Sequence, residues 1–370
     1  MTRESALTKG PADGRPAAPH VGTSTHGGNG RSATLEGVAR EAGVSRATVS
    51  RVVNGSPKVS PDVRRAVEAA VTELGYIPNR AARSLVTRRS GSIGVVITEP
   101  TGRLFSDPFF PRLLRGISGS LSARDLQLIL LMPSSRGDAE RTADYLTAGH
   151  VDGALLVSLH GDDPLPDRIA QSGIPYVVGG RPLRTPAASF VDVDNRGGSR
   201  SAVEHLIAGG RRTIGTITGP RDMGAGVDRL DGYHDALLEA GLPIETSLET
   251  AGDFTQEGGT AAMERLLKAR PDIDAVFAAS DLMAAGAMSV LEAAGRRIPQ
   301  DVAVVGYDDS PVASTLRPRL TSVRQPIEEM GHEMTRLLVD AVEGTDSVQR
   351  RVILATELIR RASSAGRRVP

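Results

Sequence analysis

Two kinds of periodicity in this chain predict an N-terminal all-α helix-turn-helix head followed by an α/β body of two Rossmann-like lobes. Apolar residues recur three or four positions apart between residues 34 and 74, the spacing of one helix face. Beyond residue 91, short β-rich runs alternate with helical patterns, the signature of parallel sheets covered on both faces. A third observation is Gly43, which sits between the first two helical patterns where the chain must turn.

The head carries the most chemistry. Residues 35–42 place Leu35, Val38, Ala39 and Ala42 on one face. Ser45 is then positioned as an N-cap, and Val49 and Val53 give a second helix its apolar side. Ser60 and Pro61 restart the chain as cap and first-turn proline, and Val63, Val67, Ala70 and Leu74 carry a third helix to Gly75. Two helices joined by a tight turn and backed by a third fit the second helix to the DNA major groove.

On that second helix, Arg46, Ala47 and Arg51 point away from the valines. An arginine fork can take guanine O6 and N7 together, and an alanine can touch a thymine methyl. Ser45, Thr48, Ser50 and Asn54 are short polar side chains suited to phosphate oxygens, which set register. The plain alternative is an ordinary three-helix module with solvated arginines. Charge argues against it. Residues 31–90 hold eleven Lys/Arg against five Asp/Glu, although the whole chain of 370 residues is neutral. A basic head on a mildly acidic body is the electrostatic footprint of a polyanion binder.

Composition narrows the setting. With no cysteine, disulfides and thiolate metal sites are excluded. No apolar run approaches the roughly 18 residues of a membrane span, and residues 1–32, rich in Gly, Pro, Ala, Thr and Ser, read as a disordered tail without a signal core. A cytoplasmic location is the simplest expectation, with no membrane partner.

Several ordered blocks then carry a resemblance: Thr34-Leu35-Glu36-Gly37-Val38-Ala39, Ala42-Gly43-Val44-Ser45, Thr48-Val49-Ser50-Arg51-Val52-Val53-Asn54, Val59-Ser60, residues 73–79 and Ala82-Arg83-Ser84-Leu85. Together they resemble the head of the lactose-repressor (LacI/GalR) family of bacterial transcription regulators, and the likeness extends over nearly all of the chain after residue 33. One departure is Gly37, where the family usually has an acidic residue. Thr34 therefore caps the first helix without the reciprocal bond of a capping box.

Residues 79–86, with Asn79 as a cap, make a helix too short to be stable alone. The resemblance implies a hinge helix that orders on DNA, pairs with its copy in a homodimer, and inserts Leu85 into the minor groove. It thereby adds Asn79, Arg83 and Leu85 to the DNA-binding candidates. Without the resemblance, Leu85 is a minor apolar contact in a linker.

In the body, β-rich runs fall at residues 93–98, 126–132, 153–159, 176–178 and 189–193, and a second series at 213–218, 275–279 and 302–306. The resemblance implies a periplasmic-binding-protein-like layout, with an N-lobe of about 91–192 and 320–350 and a C-lobe of about 195–318 and 351–360. The chain would cross between lobes near Asp194, near Arg319-Leu320, and before a last strand at 352–357. The head then spans 33–78, the hinge and linker 79–90, and a tail 361–370.

Ligands of open α/β sheets sit beyond the carboxyl ends of strands. Arg229, Phe254, Ser280, Asp281, Asp308 and Gln325 stand at such ends, and the resemblance implies that residues at these places line an effector cleft. Phe109 can reach the same cleft, although an aromatic opening a helix is more often core packing. The chemistry suits a sugar, because a carboxylate and a guanidinium each hold two hydroxyls and an aromatic face covers a pyranose. Asp281 has a plain alternative as a cap of the helix that follows.

Catalytic patterns are incomplete. His332-Glu333 has no second histidine at metalloprotease spacing, residues 116–120 lack the closing glycine of a nucleophile elbow, and Gly224-Ala225-Gly226 lacks the third glycine of a dinucleotide loop. The sequence therefore predicts a non-enzymatic, cofactor-free repressor of sugar-utilisation genes. A homodimer would bind a pseudo-palindromic operator and be relieved by a small sugar. Several blocks, among them residues 105–110 and Gly179-Gly180-Arg181-Pro182, resemble the cellobiose- and oligosaccharide-responsive members, so a β-linked disaccharide is the expected inducer. The alternatives are a corepressor such as a purine, or a sugar-binding protein with no operator.

Overall fold

The computed structural model describes residues 33–53, 56–77, 89–161, 163–184, 188–345 and 348–365. The expected tail at 1–32, the hinge helix, and the candidates Asn54, Asn79, Arg83 and Leu85 lie outside those residues. The chain divides into one compact unit ending at Asn79 and another beginning at Arg80.

The first unit is built from α1 (Leu35–Glu41), α2 (Arg46–Val53) and α3 (Pro61–Glu73). Each start has a local cause. The Thr34 hydroxyl accepts the Gly37 N–H at 3.2 Å, and the Ser45 hydroxyl accepts that of Thr48 at 3.1 Å. Gly43 turns the chain at φ +65°, a conformation that strains any residue with a Cβ. Ser60 stands at the third cap position, but its side chain makes no capping bond there; Pro61 alone marks the start. The core is Val38, Val49, Val52, Val67, Ala70 and Tyr76, with Val53 only partly buried against it. The inward valine is thus Val52 rather than Val53. A helix advances 100° per residue, so neighbouring valines compete for one groove and tertiary packing selects between them.

The second unit contains two six-stranded sheets. One orders β2 (Gln127–Leu131), β1 (Ser92–Ile97), β3 (Gly153–Val157), β4 (Tyr176–Gly179), β5 (Ser189–Val193) and β11 (Arg351–Leu354), all parallel. The other orders β7 (Glu249–Ala251), β6 (Ile214–Thr218), β8 (Ala275–Ala278), β9 (Ala303–Asp308), β10 (Thr321–Arg324) and β12 (Glu357–Ile359), with only β12 antiparallel. Wholly apolar buried strands such as β3 and β8 need cover on both faces.

Helices supply that cover. The N-lobe has α4 (Thr101–Ser106), α5 (Phe109–Ser122), α6 (Arg136–Tyr145), α7 (Leu165–Ser172) and α13 (Ile327–Glu343). The C-lobe has α8 (Asn195–Ala208), α9 (Gly224–Glu239), α10 (Gln256–Ala269), α11 (Asp281–Ala293) and α12 (Pro311–Thr315).

Three boundaries differ from expectation. Residues 320–324 belong to the C-lobe, because β10 pairs with β9, so the second crossing falls at Gln325-Pro326. The expected last strand is two: residues 351–354 extend the N-lobe sheet and 357–359 the C-lobe sheet, reversing the lobe assigned to 351–354. Residues 361–364 are not a free tail. The Ser363 hydroxyl donates to Val304 O at 2.6 Å and accepts the Thr321 N–H at 2.8 Å, while Arg361 reaches Asp309 Oδ1 at 2.6 Å. In each case hydrogen bonds to distant residues, invisible to local pattern, decide the outcome.

Candidate functional site

In the head, Ser45, Arg46, Ala47 and Arg51 are exposed, and Thr48 and Ser50 are half-buried. Ser45 and Thr48 are partly committed to structure, since their hydroxyls also bond each other at 2.9 Å. Arg46 Nε lies 3.2 Å from Glu36 Oε1 in a solvent-exposed pair. Such pairs are worth about 1 kcal/mol or less, so exchanging Glu36 for a base edge or phosphate costs little.

In the body, the carboxyl ends of both sheets face a cavity between the lobes, the usual place for a ligand of open α/β sheets. Arg229, Phe254, Ser280, Asp308, Gln325 and Phe109 all line it. Asp281 does not. It is fully buried behind the wall, where Oδ1 accepts the Ser322 hydroxyl at 2.6 Å and Oδ2 the Ser310 N–H at 2.6 Å. Nor does it cap the helix: Ser280 does, its hydroxyl accepting the Met283 N–H at 3.2 Å. One residue of helical rotation turns Asp281 inward, where it ties β9 and β10 to α11.

Arg229 is the centre of the site. Its Nε donates to Asn195 Oδ1 at 2.8 Å and its Nη1 to Ala279 O at 2.6 Å, with Asp308 Oδ1 3.6 Å away. The guanidinium carbon lies 3.7 Å from the centre of the Tyr307 ring, so one face is covered by the aromatic. Gln325 Nε2 donates to Asp308 Oδ1 at 2.5 Å, and Asn195 Nδ2 to Asp192 Oδ1 at 2.9 Å. Burial pushes the Asp308 carboxyl up to about 7, the Arg229 charge opposing it and Asp107 adding to it. Burial also lifts Asp192 to about 6, and burial and the neighbouring Asp308 raise Asp281 well above the usual carboxylate range.

Two of these side chains are held by strained backbone. Asp308 has φ +109° and Phe254 φ +66°, conformations that cost about 1–3 kcal/mol each in non-glycine residues. The strain at Asp308 is offset next door, where the Asp309 carboxylate is gripped by Arg324 and Arg361. The outcome is to aim the Asp308 carboxylate and the Phe254 ring into the cleft.

Residues not anticipated from the sequence include Arg103, Asp107, Arg181, Asp192 and Asn195, all on the cavity wall. Asp192 carried a signal, being the charged residue inside the apolar strand β5. Asp107 precedes the helix-opening Pro108-Phe109, where a cap and a ligand residue look alike.

Polar contacts hold the lobes together. Arg181 grips Asp228 with two bonds, at 2.9 and 2.6 Å, and His160 Nδ1 lies 2.7 Å from Asp222 Oδ2. Gly224 permits this closure, because a Cβ there would stand 2.1 Å from Arg181 O.

The Glu99 carboxylate, 3.6 Å away, and the Asp222 contact raise His160 to about 9. A raised histidine contributes stability that is complete below its unfolded value of 6.5 and lost as pH rises through about 9. Thermal unfolding between pH 6 and 10 is therefore expected to show a larger loss of midpoint in the parent protein than in His160→Gln; parallel losses would rule this contact out as the cause.

The description "Bacterial regulatory proteins, lacI family" matches residues 34–79, and "Periplasmic binding protein-like domain" matches residues 203–364. The HTH-type transcriptional regulator CelR of Thermobifida fusca is 53% identical over 335 residues, covering 90% of this chain and 98% of that protein. The chain belongs to the lacI family of bacterial regulatory proteins. As in other members of that family, its activity is regulation rather than catalysis.

This lacI-family chain is also 35% identical over 336 residues to the ribose operon repressor of Escherichia coli (strain K12), covering 90% of this chain and all of that one. Among solved structures, a transcriptional regulator CelR–cellobiose complex matches with a TM-score of 0.73 and 51% identity, covering 90% of this chain and 99% of that one. A lac repressor dimer bound to operator and the anti-inducer ONPF matches with a TM-score of 0.79 and 29% identity, covering the same shares. Among the described residues, no helix is long and apolar enough to cross a membrane.

Proposed function

We propose that the protein is a cytoplasmic, homodimeric repressor of sugar-utilisation genes, released from a pseudo-palindromic operator by a β-linked disaccharide of the cellobiose type. The observation that carries this reading is the composition of the cleft. The Arg229–Asp308 pair is poised at 3.6 Å with Gln325 and Asn195 behind it, and Phe254 forms an apolar wall. Fixed donors and acceptors that read hydroxyls beside an aromatic face are the chemistry of a neutral sugar. The relative that is 53% identical and the matching CelR–cellobiose complex support the same choice.

Regulation requires the sugar to bind one lobe arrangement better than the other. Ligand binding at the Arg229–Asp308 end of the cleft favours the closed arrangement, which alters the presentation of two heads to two half-sites. The candidates outside the described residues, Asn54, Asn79, Arg83 and Leu85, complete the DNA contacts in this reading.

The test is fluorescence anisotropy with duplexes from the control region of the protein's own gene, with and without cellobiose, glucose, ribose and hypoxanthine. Release by cellobiose alone is the expected result. Tightening by hypoxanthine would replace it with corepression, and failure to bind any duplex at low salt would remove the repressor reading.

A further inference from the structure

Asp281 is a fully buried carboxyl that does not line the cleft and that, among the described residues, forms no ion pair with an arginine, lysine or histidine. The charge that acts on it most is the like charge of Asp308. A carboxylate so placed is costly unless it is hydrogen-bonded, and well-packed apolar side chains often replace buried charges without loss. What the carboxylate offers instead is two oxygens that accept at once.

Both oxygens serve the segment that follows Asp308. Oδ2 accepts the Ser310 N–H at 2.6 Å. Oδ1 accepts the Ser322 hydroxyl at 2.6 Å, and the Ser322 oxygen in turn accepts the Asp309 N–H at 2.9 Å. The two main-chain donors next after Asp308 therefore both end on Asp281, one directly and one through Ser322. Here the chain passes through two consecutive positive φ values, +109° at Asp308 and +48° at Asp309. Such backbone persists only where its surroundings over-determine it. Gly306 on β9 leaves room for the arrangement, since a Cβ there would stand 2.5 Å from Asp281 Oδ1. Ser322 on β10 thus holds the main chain beyond Asp308, while Gln325, just past β10, holds the Asp308 side chain.

We infer that Asp281, acting through Ser322 and Ser310, is a positioning residue for sugar recognition: it fastens the strained turn after β9 and so fixes where the Asp308 carboxylate meets a sugar hydroxyl. The inference rests on the sugar reading of the cleft. Asp281 touches no ligand itself. Its consequence is selectivity for the one hydroxyl that donates to Asp308.

Calorimetry with cellobiose and its monodeoxy analogues tests this in the full chain, using the parent protein, Asp281→Asn, Ser322→Ala and the double variant. Asp281→Asn keeps the shape but offers one acceptor in place of two, and Ser322→Ala leaves the Asp309 N–H unmet. Each is expected to weaken cellobiose about tenfold. The double variant should lose about as much as the worse single one, because both act on one chain of bonds. One deoxy analogue should bind the parent at least tenfold more weakly than cellobiose does, and that ratio should shrink toward one in the variants while the ratios of the other analogues stay as in the parent.

A merely structural role would weaken every ligand by one factor and leave all ratios unchanged; that result overturns the inference, as do variants that bind cellobiose like the parent. Ser322→Ala alone decides the matter if Asp281→Asn does not fold. Failure of the parent to bind cellobiose or any analogue sinks the sugar reading and this inference with it, whereas parent binding without the selective change sinks the positioning role alone.

Discussion

Arg229→Ala is expected to abolish measurable sugar binding and to lower stability by about 3–5 kcal/mol, the usual cost of leaving a buried charge without its partner. The change removes the donors to Asn195 and Ala279 and uncovers the Tyr307 ring. It also takes away the cation facing Asp308, whose carboxyl burial already holds near 7. The pH dependence identifies the cause. A carboxyl with a raised folded value costs stability between its unfolded value, 3.8, and its folded one. Without Arg229 the folded value rises further, so the cost continues to grow above pH 7 in the variant while it levels off in the parent. Thermal unfolding at pH 5 and pH 8 should therefore show the larger deficit at pH 8. An equal deficit at both would mean that packing around Tyr307, not the charge, is what Arg229 supplies.

Operator affinity should fall about 10³- to 10⁵-fold between 50 and 200 mM salt, the loss expected of a protein making 6–10 phosphate contacts. The eleven basic residues of 31–90, doubled in a dimer, are ample for that number. Within the head, Arg51→Ala and Arg46→Ala should each cost about 1–3 kcal/mol and relax the preference at one position of each half-site. Lys58→Ala should weaken all duplexes alike and flatten the salt slope by about one. Anisotropy titrations over a salt series with mutated half-sites measure both. A flat salt dependence would contradict a phosphate-gripping head, and uniform losses for Arg46 and Arg51 would reassign them from base edges to the backbone.

Much of this was legible before any coordinates. Thr34, Gly43, Ser45 and Pro61 mark the limits of the head helices, because caps and turns depend on a few neighbouring residues. Strands β1, β3 and β8 stand out because burial on both faces leaves them almost wholly apolar. The placement of Arg229, Phe254, Ser280, Asp308 and Gln325 on one cavity was likewise expected, from the family resemblance together with the rule that ligands sit beyond strand ends. By contrast, β10 escaped notice, since its Thr321 and Ser322 look like loop residues until their hydrogen bonds to Ser363 and Asp281 are known. Helix α13 shows Ile327, Met330, Met334, Leu337 and Leu338 on one buried side. That spacing was readable and was missed.

Asp281 marks where sequence stops being informative. As a charged residue after a buried strand it is indistinguishable from a cap or a ligand, and only its orientation toward Ser310 and Ser322 removes it from the cleft. The sequence by itself determined the two-part organisation, the basic outward face of α2 and the strand ends that surround the cleft. These follow from periodicity, capping and charge, which act over a few residues. The tertiary structure alone decided the Arg181–Asp228 and His160–Asp222 contacts and the division of residues 351–359 between two sheets. Those depend on which distant side chains share a buried space, where an unmet donor or charge is costly and the low dielectric makes each neighbour count.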